Sequence, residues 1–155
     1  ILFSGRSGSA FAAEIGSMKI AEEVDALITM GFDTLRFLVI PKLLAAVLVV
    51  PILTLFSIIF AIAGGLVVGV TMLDLTVTAY LKQSISTLQL FDLGYALFKS
   101  AVFALLITGI GCFRGFQVHG GADAVGRSTT SAVVSGIFLI IVFDAIFSVI
   151  LRYWG

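Results

Sequence analysis

An uncharged stretch from Leu43 to Leu73 constrains this chain more than any other feature of the sequence. It exceeds the roughly 20 apolar residues that a helix needs to cross a bilayer. Hydrophobic residues make up 60% of the 155 residues and charged residues only 12%, and the mean hydropathy is +1.21. Such a chain has too few polar side chains to cover the surface of a soluble domain. The sequence therefore predicts an integral membrane protein.

Three apolar blocks predict an all-α, polytopic membrane fold in a single domain over residues 1–155. Membrane helices are expected at 43–72, 93–114 and 131–153, since each block is long enough for a tilted span. Pro51 lies inside the first span and lacks a backbone donor, which predicts a bend there. Ser128 or Thr129 is expected to cap the last helix. The chain opens on Ile1 rather than methionine, so we expect further sequence before it.

Two shorter segments between the apolar blocks have helical patterns. Segment 18–32 is predicted to be an amphipathic helix that ends near Gly31, a plausible C-terminal cap. Segment 74–92 is predicted to be an interfacial helix, because its apolar residues recur every three to four positions. These apolar residues are Val77, Leu81, Ile85 and Leu88, and the other face carries Lys82, Gln83, Ser86 and Gln89.

The lysines and arginines predict the orientation of the chain in the membrane. Six of them fall on one side of the predicted spans: Arg6, Lys19, Arg36, Lys42, Arg114 and Arg127. Lys82 and Arg152 fall on the other side. Because basic residues accumulate in cytoplasmic loops, the first group marks the cytoplasm. Segment 18–32 is then cytoplasmic, and segment 74–92 and the C-terminus are extracytoplasmic.

Several functions are disfavoured by the composition. Lys+Arg and Asp+Glu number nine each, so no basic excess points to nucleic acid. A single cysteine, Cys112, and a single histidine, His119, argue against a disulfide or a structural zinc site. We interpret Cys112 as a packing residue and His119 as a solvated one. Gly121–Ser128 has Walker A spacing, but it has arginine in place of lysine and joins two spans, so we reject it as a nucleotide loop.

Segment 18–32 carries the residues to which we assign a function. The pattern Asp25-Ala26-Leu27, then Gly31, then Ile40-Pro41 is similar to the EAA loop of ABC-importer permeases, in which a short cytoplasmic helix docks in a groove of an ATPase. Small residues would allow close approach, apolar residues would anchor the helix, and carboxylates would meet basic residues. The candidate coupling residues are Glu22, Glu23, Asp25, Ala26, Leu27, Met30 and Gly31. The alternative is a surface helix whose charges are merely solvated.

Two pairs of charged residues outside that segment are also candidates. Arg6 and Glu14 are about two helical turns apart, which predicts that they share a face and brace the coupling region rather than contact the ATPase. Lys99 and Asp144 lie inside predicted spans, at depths of roughly 22 and 20 Å from the cytoplasmic boundary when counted from Arg114 and Ser131. We expect them to form an intramembrane polar pair or to line a substrate pathway. The alternatives are a structural ion pair, or a lysine that reaches the interface.

Pairs of glycines four residues apart predict close packing of helices. Gly65 and Gly69 form such a pair in the first span, and Gly111 and Gly115 form another in the second. Either pair allows packing within one protomer or across a dimer.

Two long segments closely resemble the signature region of the MlaE (YrbE-type) permease family. They are GRSGSAFAAEIGSMKIAEEVDALITMGFDTLRFLVIPKLLA and LFKSAVFALLITGIGCFRGFQVHGGADAVGRSTTSAVV. The resemblance implies a homodimer in the bacterial inner membrane, paired with two cytoplasmic ABC ATPase subunits and a ring of periplasmic MCE-domain proteins. It also implies transport of phospholipid or a related lipid between that membrane and the periplasm.

The resemblance further implies that the chain has no catalytic residues and no cofactor of its own, since ATP and Mg²⁺ are bound by the partner ATPase. The sequence also allows two functions other than that of an ABC permease. One is a proton-coupled secondary transporter that uses Asp144 and Lys99. The other is a membrane scaffold that transports nothing.

Overall fold

The computed structural model describes residues 1–154, and all regular structure in them is helical. Six α-helices are present: α1 (Ser9–Ile20), α2 (Glu23–Thr29), α3 (Ile40–Met72), α4 (Val77–Thr87), α5 (Leu90–Phe116) and α6 (Ala122–Trp154). Short π-helical turns at Ser4–Gly8 and Leu35–Val39 lead directly into α1 and α3. The expected all-α class is confirmed.

Three helices are long and apolar enough to cross a membrane, as the sequence predicts. They are Leu35–Met72, Leu90–Phe116 and Ala122–Trp154. Each extends beyond the span predicted from its apolar block, because polar residues at the ends of a block can continue a helix. Helix α3 remains helical on both sides of Pro51. The bend expected there stays a prediction.

The start of the last helix was predicted wrongly. Helix α6 begins at Ala122, so Ser128 and Thr129 lie inside it and cap nothing at its N-terminus. Ser128 instead donates a hydrogen bond from Oγ to the carbonyl oxygen of Arg114, at 2.6 Å. That carbonyl, in the last turn of α5, also accepts a hydrogen bond from the amide of Gln117 at 3.2 Å. Ser128 therefore adds a second hydrogen bond at the end of the preceding helix, across a connection shorter than expected.

The chain divides into two compact units. The first comprises Ile1–Val47 and the chain from Val102 onward, and the second is Leu48–Ala101. Helices α3 and α5 contribute residues to both units.

In the first unit, α1 packs closely on α5 through the second glycine pair. A Cβ at Gly111 would lie 2.8 Å from the carbonyl oxygen of Gly8, and a Cβ at Gly115 would lie 2.8 Å from Cβ of Ile15. Ile15 is completely buried. The predicted close packing is confirmed for Gly111 and Gly115, and it occurs within one chain.

In the second unit, α4 packs beside α3 through an aromatic side chain. Tyr80 covers Gly65 and Gly69, and its hydroxyl donates to the carbonyl oxygen of Ile62 at 3.3 Å. Helix α4 is shorter than the predicted 74–92, because Leu88 is extended and α5 already begins at Leu90. The predicted apolar stripe, Val77, Leu81, Ile85 and Leu88, is exposed.

Candidate functional site

Helix α2 is the centre of the candidate coupling site, and it is shorter than the sequence suggested. The predicted 18–32 helix is divided, because α1 runs to Ile20 and α2 spans only Glu23–Thr29. Glu22 separates them in the left-handed region, with φ of 60°. This conformation is uncommon for a residue other than glycine. Glu22 is the N-cap of α2, and its carbonyl accepts a hydrogen bond from the amide of Ala26 at 2.9 Å.

The end of α2 agrees with the prediction that the helix terminates near Gly31. Gly31 is left-handed, with φ of 83°. The amide of Phe32 bonds the carbonyl of Leu27, and the amide of Gly31 bonds the carbonyl of Ile28, both at 3.0 Å. This pair of bonds is a Schellman motif, which satisfies carbonyls that would otherwise lack partners. A left-handed residue thus stands at each end of α2 and fixes its direction.

The surface of α2 combines acidic and apolar side chains. The carboxylates of Glu22, Glu23 and Asp25 are exposed, as is Ala26. Val24 is only 4% exposed and anchors the helix to the first unit, whereas Met30 is 64% exposed. Leu27, the other expected anchor, is half-buried.

Two apolar residues of this surface were missed by the sequence reasoning. Ile28 and Phe32 are 57% and 50% exposed, and the Phe32 ring lies 5.6 Å from that of Phe37. The sequence signal that could have revealed them is that large apolar residues lie on both sides of Gly31, the glycine that ends the helix. The periodicity used to find α2 could not show that the Schellman turn brings Phe32 back beside the helix.

Glu14 takes part in bracing this region, but with a partner other than Arg6. Its Oε1 lies 2.8 Å from Nζ of Lys42, near the start of α3. Arg6 is exposed and sits in the π-helical turn Ser4–Gly8. A π-helical turn changes the rotation per residue, so the spacing of eight residues does not correspond to two α-helical turns. The ion pair ties α1 to α3 on either side of α2, and Lys42 is a residue that the sequence did not single out.

Lys99 and Asp144 lie on long apolar helices, as expected, but in different units. Lys99 is half-buried on α5 and Asp144 is exposed on α6. Because α6 begins at Ala122, Ser131 no longer marks a helix end from which the depth of Asp144 can be counted. Their pairing stays a prediction.

The remaining candidates have simple structural roles. Cys112 is 2% exposed, as expected of a packing residue. His119 is exposed in the α5–α6 connection, as expected of a solvated side chain. The Gly121–Ser128 segment is helical from Ala122 onward, so it does not form a phosphate loop.

Long apolar helices and a short exposed helix fixed by two left-handed residues define a multi-span helical membrane protein. Residues 1–150 match the family described as Permease MlaE. The chain is 42% identical over 142 residues to a probable ABC transporter permease protein of Synechocystis sp., covering 92% of this chain and 54% of the relative. It is 40% identical to a probable ABC transporter permease protein of Rickettsia bellii, covering 92% of this chain and 55% of the relative.

A plant relative extends the comparison. The chain is 35% identical over 148 residues to the chloroplastic protein TRIGALACTOSYLDIACYLGLYCEROL 1 of Arabidopsis thaliana, covering 96% of this chain and 42% of the relative. The chain belongs to the MlaE permease family, as the signature segments suggested. It spans about half the length of the curated relatives it matches.

Proposed function

We propose that this chain is part of a permease subunit that moves phospholipid or a related hydrophobic lipid between the bacterial inner membrane and the periplasm. Membership of the MlaE permease family supports this proposal. The Arabidopsis relative, which is named after a galactosylated diacylglycerol, supports a lipid as the ligand. The working assembly contains a second permease copy, cytoplasmic ABC ATPases and periplasmic MCE-domain proteins. The ATPases bind ATP and Mg²⁺ and supply the energy.

The observation that carries the proposal is the fixed geometry of α2. A helix of seven residues has little stability of its own, yet this one is held by buried Val24 and by the Schellman motif at Gly31. It presents Met30, Ile28 and Phe32 beside exposed carboxylates. An apolar ridge with an acidic edge suits a partner groove that has an apolar floor and basic rims. Docking there transmits movement of the ATPase to α1 and α3.

A co-purification experiment tests the coupling role. The full-length permease is expressed with its ATPase, as wild type and as an Asp25→Lys, Met30→Ser double variant. The variant is expected to lose the ATPase, because it reverses a charge and removes an apolar anchor on the exposed face of α2. Lys82→Asp on α4 is the matched control, since it also reverses an exposed charge on a short helix, and it should retain the ATPase.

The outcome is read from bound ATPase and from lipid-stimulated ATP hydrolysis. All variants must first show the same gel-filtration profile and the same thermal unfolding. An ATPase that stays with the double variant at the wild-type ratio would show that α2 is not the docking helix. Recovery of folded wild-type permease without any ATPase would refute the ABC proposal itself.

Lys99 and Asp144 are proposed to form the intramembrane polar site. A charge within hydrocarbon is costly unless it meets a partner or a water-filled pathway. In a Cys112→Ser background, cysteines at 99 and 144 should be joined by a short bis-methanethiosulphonate crosslinker, which replaces the length of the lysine side chain. Cysteines at 99 and 146 serve as the control, because Ile146 lies two residues further along α6 and points to another side of it. Absence of a 99–144 crosslink in folded protein would refute the pairing.

A further inference from the structure

A polar groove of about 300 Å³ lies where α5 ends and α6 begins, within the first unit. Arg114, His119 and Arg127 line it, together with the hydroxyl groups of Ser128 and Ser131. No role in coupling uses these residues.

Arg114 is fixed in the groove by uncharged partners. Its Nη2 donates to Oγ of Ser135 at 3.1 Å, and its Nη1 donates to Oε1 of Gln117 at 3.4 Å. Within residues 1–154, Arg114 forms no ion pair with a carboxylate. A guanidinium has five N–H donors in a planar fork that matches the geometry of phosphate. Most of the donors of Arg114 therefore remain available to an anion.

Arg127 adds a second positive charge that is weakly neutralised. Its Nη1 lies 3.7 Å from Oδ2 of Asp123, and the two side chains are 78% and 94% exposed. An ion pair this exposed contributes little and opens readily. The groove brings together two arginines and one carboxylate, so it carries net positive charge.

A second groove, of about 540 Å³, continues from the first along α6 and shares Arg127 and Ser131 with it. It ends at Val134, which is 63% exposed, and Phe138 follows one turn later at 65% exposed. Positions 127, 131, 134 and 138 are three or four residues apart, so they share one face of the helix. This face changes from cationic to hydroxyl-bearing to apolar, which is the profile of an amphiphile with an anionic head.

We propose that Arg114 and Arg127 bind the phosphate of an anionic phospholipid whose acyl chain lies along Val134 and Phe138 of α6. The inference rests on the proposed lipid-transport function and adds to it a place where lipid is held at one end of the spans. That end carries most of the lysines and arginines, and the cytoplasmic leaflet that such residues face is rich in anionic lipids. The site thus retains an anionic lipid beside the permease.

Lipid titration of the full-length permease with its partners tests this inference. Native mass spectrometry follows binding of dioleoylphosphatidylglycerol to wild type, Arg114→Gln, Arg127→Gln and Asp123→Asn. Each arginine variant should bind the lipid roughly tenfold more weakly or worse, because a charge-assisted hydrogen bond is lost. Asp123→Asn should bind it more tightly, because a competing carboxylate is removed. A merely structural role of Asp123 would not produce that gain.

Arg36→Gln is the matched control, since Arg36 is also exposed and pairs with a nearby carboxylate, Asp33, at 3.7 Å. It should bind the lipid as wild type does. If Arg114→Gln fails to fold, the Arg127→Gln and Asp123→Asn variants still test the site, because both side chains are exposed. Wild-type affinity in both Arg127→Gln and Asp123→Asn would overturn the inference.

Two further probes distinguish a lipid from a free anion. Dioleoylglycerol, which has no phosphate, should not bind at this site, and inorganic phosphate should compete only weakly. The Val134→Ser, Phe138→Ser double variant should weaken binding of the phospholipid but leave phosphate unaffected. Full displacement by inorganic phosphate, with no effect of the double variant, would overturn the lipid assignment.

Retention of the ATPase is measured in the same preparations, which separates this inference from the proposed function. If the ATPase stays bound while the arginine variants bind lipid as wild type does, the lipid site is refuted and the proposed function stands. If folded wild type recovers no ATPase, the proposed function is refuted whatever the lipid measurements show.

Discussion

Replacement of Gly111 by alanine tests the packing of α1 on α5 within the first unit. A Cβ at this position would lie 2.8 Å from the carbonyl oxygen of Gly8 and 3.2 Å from Cβ of Phe11. The oxygen belongs to the backbone and cannot rotate away, so α1 or the preceding π-helical turn must shift. Gly109, on the same helix, has nothing within 4 Å of its added Cβ. Gly109→Ala is therefore a matched control.

The expected magnitude follows from comparing the two variants. Each substitution removes the intrinsic helix penalty of glycine, about 0.5–1 kcal/mol. Gly111→Ala alone also forces an overpacked contact, which costs about 1–3 kcal/mol. Because the helix term is common to both, the free energy of unfolding should be lower for Gly111→Ala than for Gly109→Ala by about 1–3 kcal/mol.

The measurement is unfolding of the full-length permease by titration with sodium dodecyl sulphate in one detergent, followed by circular dichroism. Gly109→Ala should unfold at or above the wild-type midpoint, and Gly111→Ala below it. Equal stability of the two alanine variants would refute the reasoning, since it would mean that the backbone of Gly8 does not approach Gly111 closely.

Two further predictions concern contacts outside that helix pair. Ser128→Ala should lower the free energy of unfolding by about 1 kcal/mol, because the bond to the Arg114 carbonyl is lost, whereas Thr130→Ala, whose hydroxyl bonds only within its own helix, should cost less in the same titration. Gly65→Ala should displace the Tyr80 hydroxyl and loosen α4, so that trypsin cleaves after Lys82 faster than in wild type. Gly64→Ala is the control, because a Cβ there meets open space, and trypsin should cleave it at the wild-type rate. Equal rates of tryptic cleavage for the two alanine variants would contradict the packing of Tyr80.

Helix class and span number followed from the sequence because they depend on local composition. A run without charges such as Leu43–Leu73 can satisfy its backbone in hydrocarbon only as a helix. The end of α2 was predictable for a similar reason, since Gly31 adopts a left-handed conformation at little cost. The family was evident from signature segments that extend over most of the chain.

Helix boundaries near polar residues were not predictable, because local patterns do not reveal distant partners. Ser128 was expected to begin a helix, since serine is a good N-cap. It lies inside α6 instead, because the helix already begins at Ala122, and its hydroxyl bonds a carbonyl of α5. The spacing of Arg6 and Glu14 predicted only that they share a face, and the fold brings Lys42 to Glu14 from another helix. Side chains that pair across helices depend on packing that one-dimensional spacing does not encode.

The sequence by itself determined that the chain is a helical membrane protein of the MlaE permease family, because hydropathy and the signature segments are properties of contiguous residues. Only the tertiary structure decided which surfaces are available. It divided segment 18–32 at Glu22, exposed Ile28 and Phe32 beside α2, and gathered Arg114 and Arg127 at one groove. Exposure and proximity arise from how helices pack and how the chain turns between them, so they emerge only when the chain is folded.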